Sequence, residues 1–172
     1  MNYITMIQLR TATIDDLPIL QEWDGQPHNI LADPNDDWEW ETELLRFPDW
    51  RQQLVAELDG RPIGFVQIID PLLEDSHYWG SVPDNLRAID IWIGQPEDLG
   101  KGFGTEMMRQ ALERCFLPSE VEAVIIDPLA SNLRARRFYE RFGFKFIGMQ
   151  IFNQDHCAVY RLERSVWEAR RS

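Results

Sequence analysis

Apolar side chains recur along this chain with two periods, alternate positions in some stretches and every third or fourth in others. Residues 7–10 alternate and predict a short strand. Thr13-Ile-Asp-Asp16 has the spacing of a capping box, with Asp16 in the place usual for Glu, and predicts a helix to about Trp23. Residues 24–37 are rich in Gly, Pro, Asn and Asp and read as a loop. Trp38 to about Phe47 reads as a second helix, stopped by Pro48. Residues 54–58 and 62–69 flank Asp59-Gly60, a strong hairpin signal. Residues 70–86 read as a long irregular connection. Residues 88–93 predict a strand, 105–116 a helix with Met107, Met108, Ala111 and Leu112 on one side, and 121–126 a buried strand. Residues 132–142 predict a helix that ends at Gly143. Residues 144–152 and 158–162 predict two final strands. This order implies a mixed α/β or α+β sheet with helices on both faces.

Length and charge narrow the picture. At 172 residues the chain reads as one domain spanning 1–172, long enough for a sizeable core. The net charge is −12 and unevenly spread. Residues 1–98 carry 20 acidic and 5 basic side chains; residues 99–172 carry 9 and 12. Such acidity argues against nucleic acid as a partner. It suits cations in the first half and tolerates phosphates in the second; alone, it equally fits simple solubility. No apolar run approaches the roughly 18 residues of a membrane span. Residues 1–10 lack the basic start, apolar stretch and cleavage site of a secretory leader. A cytoplasmic protein is expected. Cys115 and Cys157 have no metal-type spacing and read as reduced thiols. His28, His77 and His156 form no pair at ligand spacing and read as surface or loop residues, so no metal is expected.

Three stretches carry candidate chemistry. Gly100-Lys-Gly-Phe-Gly-Thr105 opens a helix, where glycines let the backbone approach an anion and helical N–H groups attract it. It matches neither the dinucleotide G-x-G-x-x-G pattern nor the nucleotide-triphosphatase loop. Alone it fits a structural turn as well as an anion site. In the strand at 88–93, Ile89, Ile91 and Ile93 share one face, and Ala88, Asp90 and Trp92 the other. A carboxylate there must be paired or face a wet cleft. Asn132 is a reasonable N-cap for a helix whose Ala135, Phe138, Tyr139 and Phe142 have core spacing. A further six carboxylates, Asp33, Asp36, Asp37, Glu39, Glu41 and Glu43, interleave with Trp38 and Trp40. They read either as a solvated face or as a lid over a polycation, with the tryptophans stacking on it.

Taken together, the order strand, G-x-G, helix, strand, N-x-x-A-x-x-x-Y-x-x-x-G-F resembles the GNAT superfamily of acetyl-CoA-dependent N-acetyltransferases. Within it the chain looks most like the aminoglycoside 6′-N-acetyltransferases. The resemblance rests on E-W at 22–23, G-R-P-I-G-F at 60–65, R-A-I-D at 87–90, L-G-K-G-F-G-T at 99–105, D-P-L-A-S-N at 127–132, N-L-R-A-R-R-F-Y-E at 132–140 and A-V-Y at 158–160. It implies a central, mostly antiparallel sheet of six to seven strands, splayed between those at 88–93 and 121–126. It implies that the backbone of Leu99, Gly100, Lys101, Gly102, Phe103, Gly104 and Thr105 holds the pyrophosphate of acetyl-CoA. Ile91, Trp92 and Ile93 would pair with the pantetheine arm, as would Asn132 by a hydrogen bond, with Ala135 of the same motif. Tyr139 would lie near the thioester sulfur. Asp90 falls where those enzymes carry a base; Asp127 and Asp155 fall where acidic residues bind the polyamine sugar, and Trp79 resembles an aromatic beside that pocket. Leu99 replaces the Gln or Arg common in the superfamily, as it does in the aminoglycoside-type enzymes. Residues 91–93 are bulkier than in those enzymes and 33–40 differ from them, which bears on the acceptor.

The expected reaction is direct acetyl transfer to a primary amine of a small polycation, with Asp90 as base and Tyr139 as acid. The strand after Asp90 would offer N–H groups to the developing oxyanion. Trp38, Trp79, Asp90, Asp127 and Asp155 are the expected acceptor contacts. Other amines (a polyamine, a lysine or siderophore precursor, a protein amine) remain open as acceptors, and so does a non-catalytic acyl-CoA-binding module. The chain is expected to act as a monomer or homodimer.

Overall fold

The computed structural model describes residues 6–171. The expectation of no leader, made on residues 1–10, lies in part outside them. Seven strands hydrogen-bond in one sheet of order β1-β2-β3-β4-β5-β7-β6. They are β1 (Ile7–Thr11), β2 (Arg51–Leu58), β3 (Arg61–Ile69), β4 (Leu86–Ile93), β5 (Ala123–Ile126), β6 (Lys145–Phe152) and β7 (Asp155–Glu163). β1 and β2 pair antiparallel, as do β5 with β7 and β6 with β7. β4 and β5 are parallel, registered only from Leu86 opposite Ala123 to Ala88 opposite Ile125. β5 ends at Ile126, whereas β4 runs on to Ile93. The helices are α1 (Leu17–Asp24), α2 (Pro27–Ala32), α3 (Trp40–Glu43), α4 (Phe103–Phe116), α5 (Leu133–Arg141) and α6 (Arg164–Arg171).

The chain forms two compact units. The first holds residues up to Ile68 together with Asp90–Leu112. Its entry follows the capping box read from sequence: Thr13 Oγ1 accepts from the Asp15 N–H, and Asp16 accepts from the Thr13 N–H at 2.8 Å. A 3-10 turn, Ile14–Asp16, leads into α1. Arg10 clamps Asp16 through both guanidinium nitrogens at 2.7 and 2.9 Å. Burial pushes the Asp16 carboxyl up, but Arg10 and the Thr13 N–H outweigh it and hold it below its ordinary value. The hairpin between β2 and β3 turns at Asp59 and Gly60, both at positive φ, as the dipeptide predicts. The core of this unit is Leu20, Trp23, Trp40, Leu44, Val55 and Phe65, with Trp38 and Trp92 packed against it.

Three expectations fail in this unit. Residues 24–37 are not all loop, because α2 occupies Pro27–Ala32. Pro27 stands in the first turn, where its missing N–H costs nothing, and the Asn29 amide donates to the Trp23 carbonyl at 2.9 Å. His28, expected as a surface or loop residue, is half-buried in α2 with a ring nitrogen 2.8 Å from the Ile93 carbonyl. The helix expected from Trp38 to about Phe47 shrinks to the four residues of α3. Glu39 adopts a left-handed conformation (φ 48°), so no helix can start before Trp40.

The second unit holds Ile69–Ile89 and Glu113–Ser172. Asn132 caps α5 by accepting from the Ala135 N–H at 3.1 Å. Arg136 donates to the Tyr160 hydroxyl at 3.0 Å, and that hydroxyl donates to Glu140 at 2.8 Å, fixing α5 on β7. Gly143 follows α5 at positive φ. α6 goes unanticipated in the sequence. Its Arg164 donates to the carbonyls of Val121, Phe116 and Pro118, and Trp167 stacks on Phe116 at 4.6 Å.

Candidate functional site

Within the first unit, β3 and β4 bring Asp90 together with an amide, two acids and a set of aromatic rings. Alternation puts Gln67 on the same face of β3 as Phe65, and Asp90 on the same face of β4 as Trp92. Gln67 Nε2 donates to Asp90 Oδ2 at 3.0 Å. Phe65 stacks on Trp92 at 4.6 Å; Trp38 meets both edge-on and stacks on Trp40 at 5.2 Å. The Trp92 indole nitrogen is buried with no hydrogen-bond partner among the described residues.

Asp90 keeps some accessible surface, yet its carboxyl is dehydrated. Burial raises its pKa to about 6, the Gln67 N–H opposes that rise, and the negative Asp36 adds to it. That places it in the range where a carboxylate can accept a proton from an ammonium near neutral pH. Asp33, the residue that ends α2, is half-buried beside it. Its carboxyl lies well above the usual range, first through burial, then through a hydrogen bond shared with Asp36 and the charges of Asp36 and Asp90. The Trp38 indole donates to Asp33 at 3.2 Å and works the other way.

The acidic run divides accordingly. Asp33 and Asp36 face Asp90. Glu43 is taken by Arg51 and Arg46 at 2.5 and 2.8 Å. Trp40 is buried in the core and donates to Asp24 at 2.6 Å. It is therefore not a stacking platform for an acceptor, one of the two readings the sequence left open; Trp38 remains half-buried.

The segment after β4 has the form of an anion loop. A 3-10 turn, Pro96–Asp98, precedes it. Arg61 grips the buried Asp98 through two hydrogen bonds at 2.9 and 3.1 Å, and this pairing holds Asp98 below its ordinary pKa. Gly100 and Gly102 then take φ values of 71° and 83°. A Cβ at either would meet no neighbour, so conformation rather than crowding requires glycine there. Lys101 and Gly102 are exposed, Phe103 and Gly104 half-buried, and α4 begins at Phe103 with the unpaired N–H groups of a first helical turn. Exposed glycine N–H groups leading into a 14-residue helix fit a pyrophosphate.

In the second unit, Tyr139 is buried on α5, edge-on to Phe138 and Phe144. Asp127 follows β5 and accepts from the Tyr78 hydroxyl at 2.5 Å. Tyr78 stacks on Phe152 at 4.6 Å, and the buried Trp79 packs edge-on against both. Asp155 begins β7, half-buried. Cys115 and Cys157 are buried and not joined in a disulfide, and burial pushes the Cys115 thiol far up, so Cys115 is not an activated nucleophile. Among the described residues no group of three or more His, Cys, Asp or Glu could hold a metal ion. No described helix is long and apolar enough to cross a membrane.

The acetyltransferase (GNAT) domain family matches residues 13–151. The chain belongs to that family. It is 33% identical over 183 aligned positions to the aminoglycoside N(6′)-acetyltransferase type 1 of Klebsiella pneumoniae, covering 96% of this chain and 87% of that protein. It is 27% identical to the lysine N-acyltransferase MbtK of Mycobacterium tuberculosis, covering 90% and 76%. Its fold superposes with a TM-score of 0.85 on the crystal structure of aminoglycoside acetyltransferase AAC(6′)-Ib in complex with coenzyme A and kanamycin, at 29% identity, covering 97% of this chain and 100% of that one.

Sequence reading missed Gln67. An amide within a strand has no spacing signal, and its partner is set by pairing between distant segments.

Proposed function

We propose that the whole chain works as one acetyltransferase domain that moves the acetyl group of acetyl-CoA to a primary amine of a small polycationic, aminoglycoside-like acceptor. The observation that carries this reading is Asp90: a dehydrated carboxylate beside further acids and aromatic rings, with a pKa raised to about 6. The Klebsiella relative's activity supports the acceptor class, and the acidity of the first unit suits a polycation.

The bound cosubstrate supplies an activated thioester. The backbone of Leu99–Thr105, with Gly100, Lys101, Gly102, Phe103 and Gly104 between, carries its pyrophosphate. Ile91, Trp92 and Ile93 pair with its pantetheine arm, with Asn132 and Ala135 in the roles the family pattern gives them. Asp90 takes the proton of the acceptor ammonium, which frees the nitrogen lone pair to form the new N–C bond. Strand N–H groups after Asp90 stabilise the charge that develops on the carbonyl oxygen. As the C–S bond breaks, Tyr139 gives a proton to the leaving sulfur, and the acylated nitrogen sheds its remaining extra proton to solvent, from which the tyrosinate is restored. Trp38, Trp79, Asp127 and Asp155 complete the acceptor contacts. The protein works in the cytoplasm, as monomer or homodimer, without metal.

Asp90→Asn lowers kcat by about 10²–10⁴-fold on this reading, since it removes the base. Tyr139→Phe costs less, because a thiolate is a fair leaving group. Steady-state kinetics of CoA release checks both: unchanged turnover in Asp90→Asn removes Asp90 from the role of base, and a loss in Tyr139→Phe exceeding that in Asp90→Asn, with folding intact, reverses the assigned ranking.

A further inference from the structure

We propose that Gln53 and Gln67 form a positioning relay that fixes the orientation of the Asp90 carboxylate and keeps an N–H pointed at it. The inference rests on the reading of Asp90 as base. Three neighbouring strands each contribute one polar side chain: Gln53 from β2, Gln67 from β3 and Asp90 from β4. Gln53 Nε2 donates to Gln67 Oε1 at 3.2 Å, and Gln67 Nε2 donates to Asp90 Oδ2 at 3.0 Å.

The chain of bonds has a direction. A glutamine amide has one accepting oxygen and one donating nitrogen. With its oxygen held by Gln53, Gln67 can present only its N–H groups to Asp90. Without Gln53, the Gln67 amide is free to turn over and set its oxygen against a carboxylate, an arrangement that repels the charged form. Gln53 is buried, at 9% exposure. By alternation it shares the face of β2 that carries the core residue Val55. Burying the Gln53 amide among apolar residues is costly unless it is bonded, and Gln67, itself half-buried, supplies that bond. Their placement has an economical explanation if the relay serves Asp90.

The charged and titratable groups that face Asp90 define what the relay opposes. Asp36, from the segment between α2 and α3, repels its charge, while the charge of Asp90 in turn helps keep Asp33 protonated. Gln67 is the neighbour that stabilises the carboxylate. Removing the relay therefore makes Asp90 harder to ionise.

The test is the pH dependence of kcat/KM, with kanamycin and acetyl-CoA, for wild type, Gln67→Met, Gln53→Met and Asp90→Asn. Methionine keeps the length and removes the amide. The relay predicts that the acidic limb moves to higher pH in Gln67→Met, by about one unit, and in the same direction but less in Gln53→Met. At pH 6 the loss in Gln67→Met is then about three- to tenfold, and most of it recovers at pH 8. A merely structural role lowers the whole profile without moving the limb, and that result overturns the relay. If Asp90→Asn retains the limb, the base assignment itself has failed. If Asp90→Asn abolishes it while both glutamine variants leave it in place, only the relay has failed. Carboxyl carbon titration of Asp90 by NMR reads the same shift without turnover. Gln53→Met, one strand removed from the carboxylate, still decides the matter if Gln67→Met does not fold: an unmoved carboxyl titration there contradicts the relay.

Discussion

Asp90 occupies a strand position whose neighbours Ile89 and Ile91 are apolar, and the strain of that choice shows in its pKa near 6. A carboxylate raised that far is nearly all ionised at pH 7.5, yet basic enough to take a proton from an ammonium. Asp33 carries the same physics further. Its folded pKa lies above its unfolded value through burial and the hydrogen bond to Asp36. For a carboxyl raised on folding, the native state binds more protons than the unfolded state. Stability from this group therefore falls as pH climbs through the interval between the two values. Asp33→Asn, which has no charge to bury, should melt near the wild-type temperature at pH 4 and several degrees above it at pH 8. Thermal melts across that range check this; an Asp33→Asn gain that is equal at both pH values contradicts it. Asp90 was legible in the sequence because alternation in A-I-D-I-W-I isolates it and the R-A-I-D pattern marks it. The Asp33–Asp36–Asp90 grouping was not, since it depends on how residues 33–37 fold back on β4.

The helices and loops show where local signals suffice. The Thr13–Asp16 capping box, the Asp59-Gly60 turn and the Asn132 cap each satisfy their own backbone partners within a few residues, so spacing alone revealed them. α2 and α3 depend on contacts made elsewhere. Asn29 reaches the carbonyls of Trp23 and Ile93, and Trp40 reaches Asp24, so their local composition misleads. α6 begins with Arg164, whose bonds go to residues 116–121. The loop from Leu99 to Thr105 gives an element-scale test. Gly102 has a left-handed φ and open space around its Cα. Gly102→Ala therefore meets a conformational cost of about 1–2 kcal/mol and no clash. Its KM for acetyl-CoA should rise about tenfold, with kcat little changed and the melting temperature a few degrees lower. An unchanged KM would separate this loop from the pyrophosphate.

Over the whole molecule the charge is concentrated rather than spread. The first unit carries 17 acidic and 6 basic side chains; the second carries 12 and 11. Nearly all of the net −12 belongs to the unit that holds Asp90 and the loop after β4. Such a field draws in a polycation, and salt weakens it over a screening length of about 10 Å at 0.1 M. KM for a polyamine acceptor should therefore rise with ionic strength more steeply than KM for a singly charged amine. A mostly antiparallel sheet of six to seven strands and the family were both within reach of the sequence, because the Gly-spaced loop and the N-x-x-A-x-x-x-Y helix belong to one pattern; the order of the strands was not. The acceptor was not, because acids suited to one polycation suit others. The most direct measurement is thiol release from acetyl-CoA, at low salt, against kanamycin, spermidine and lysine. The account predicts amine-dependent release that is fastest with kanamycin and lost in Asp90→Asn. No release with any of the three, or release that ignores the acceptor's charge and the state of Asp90, would contradict it.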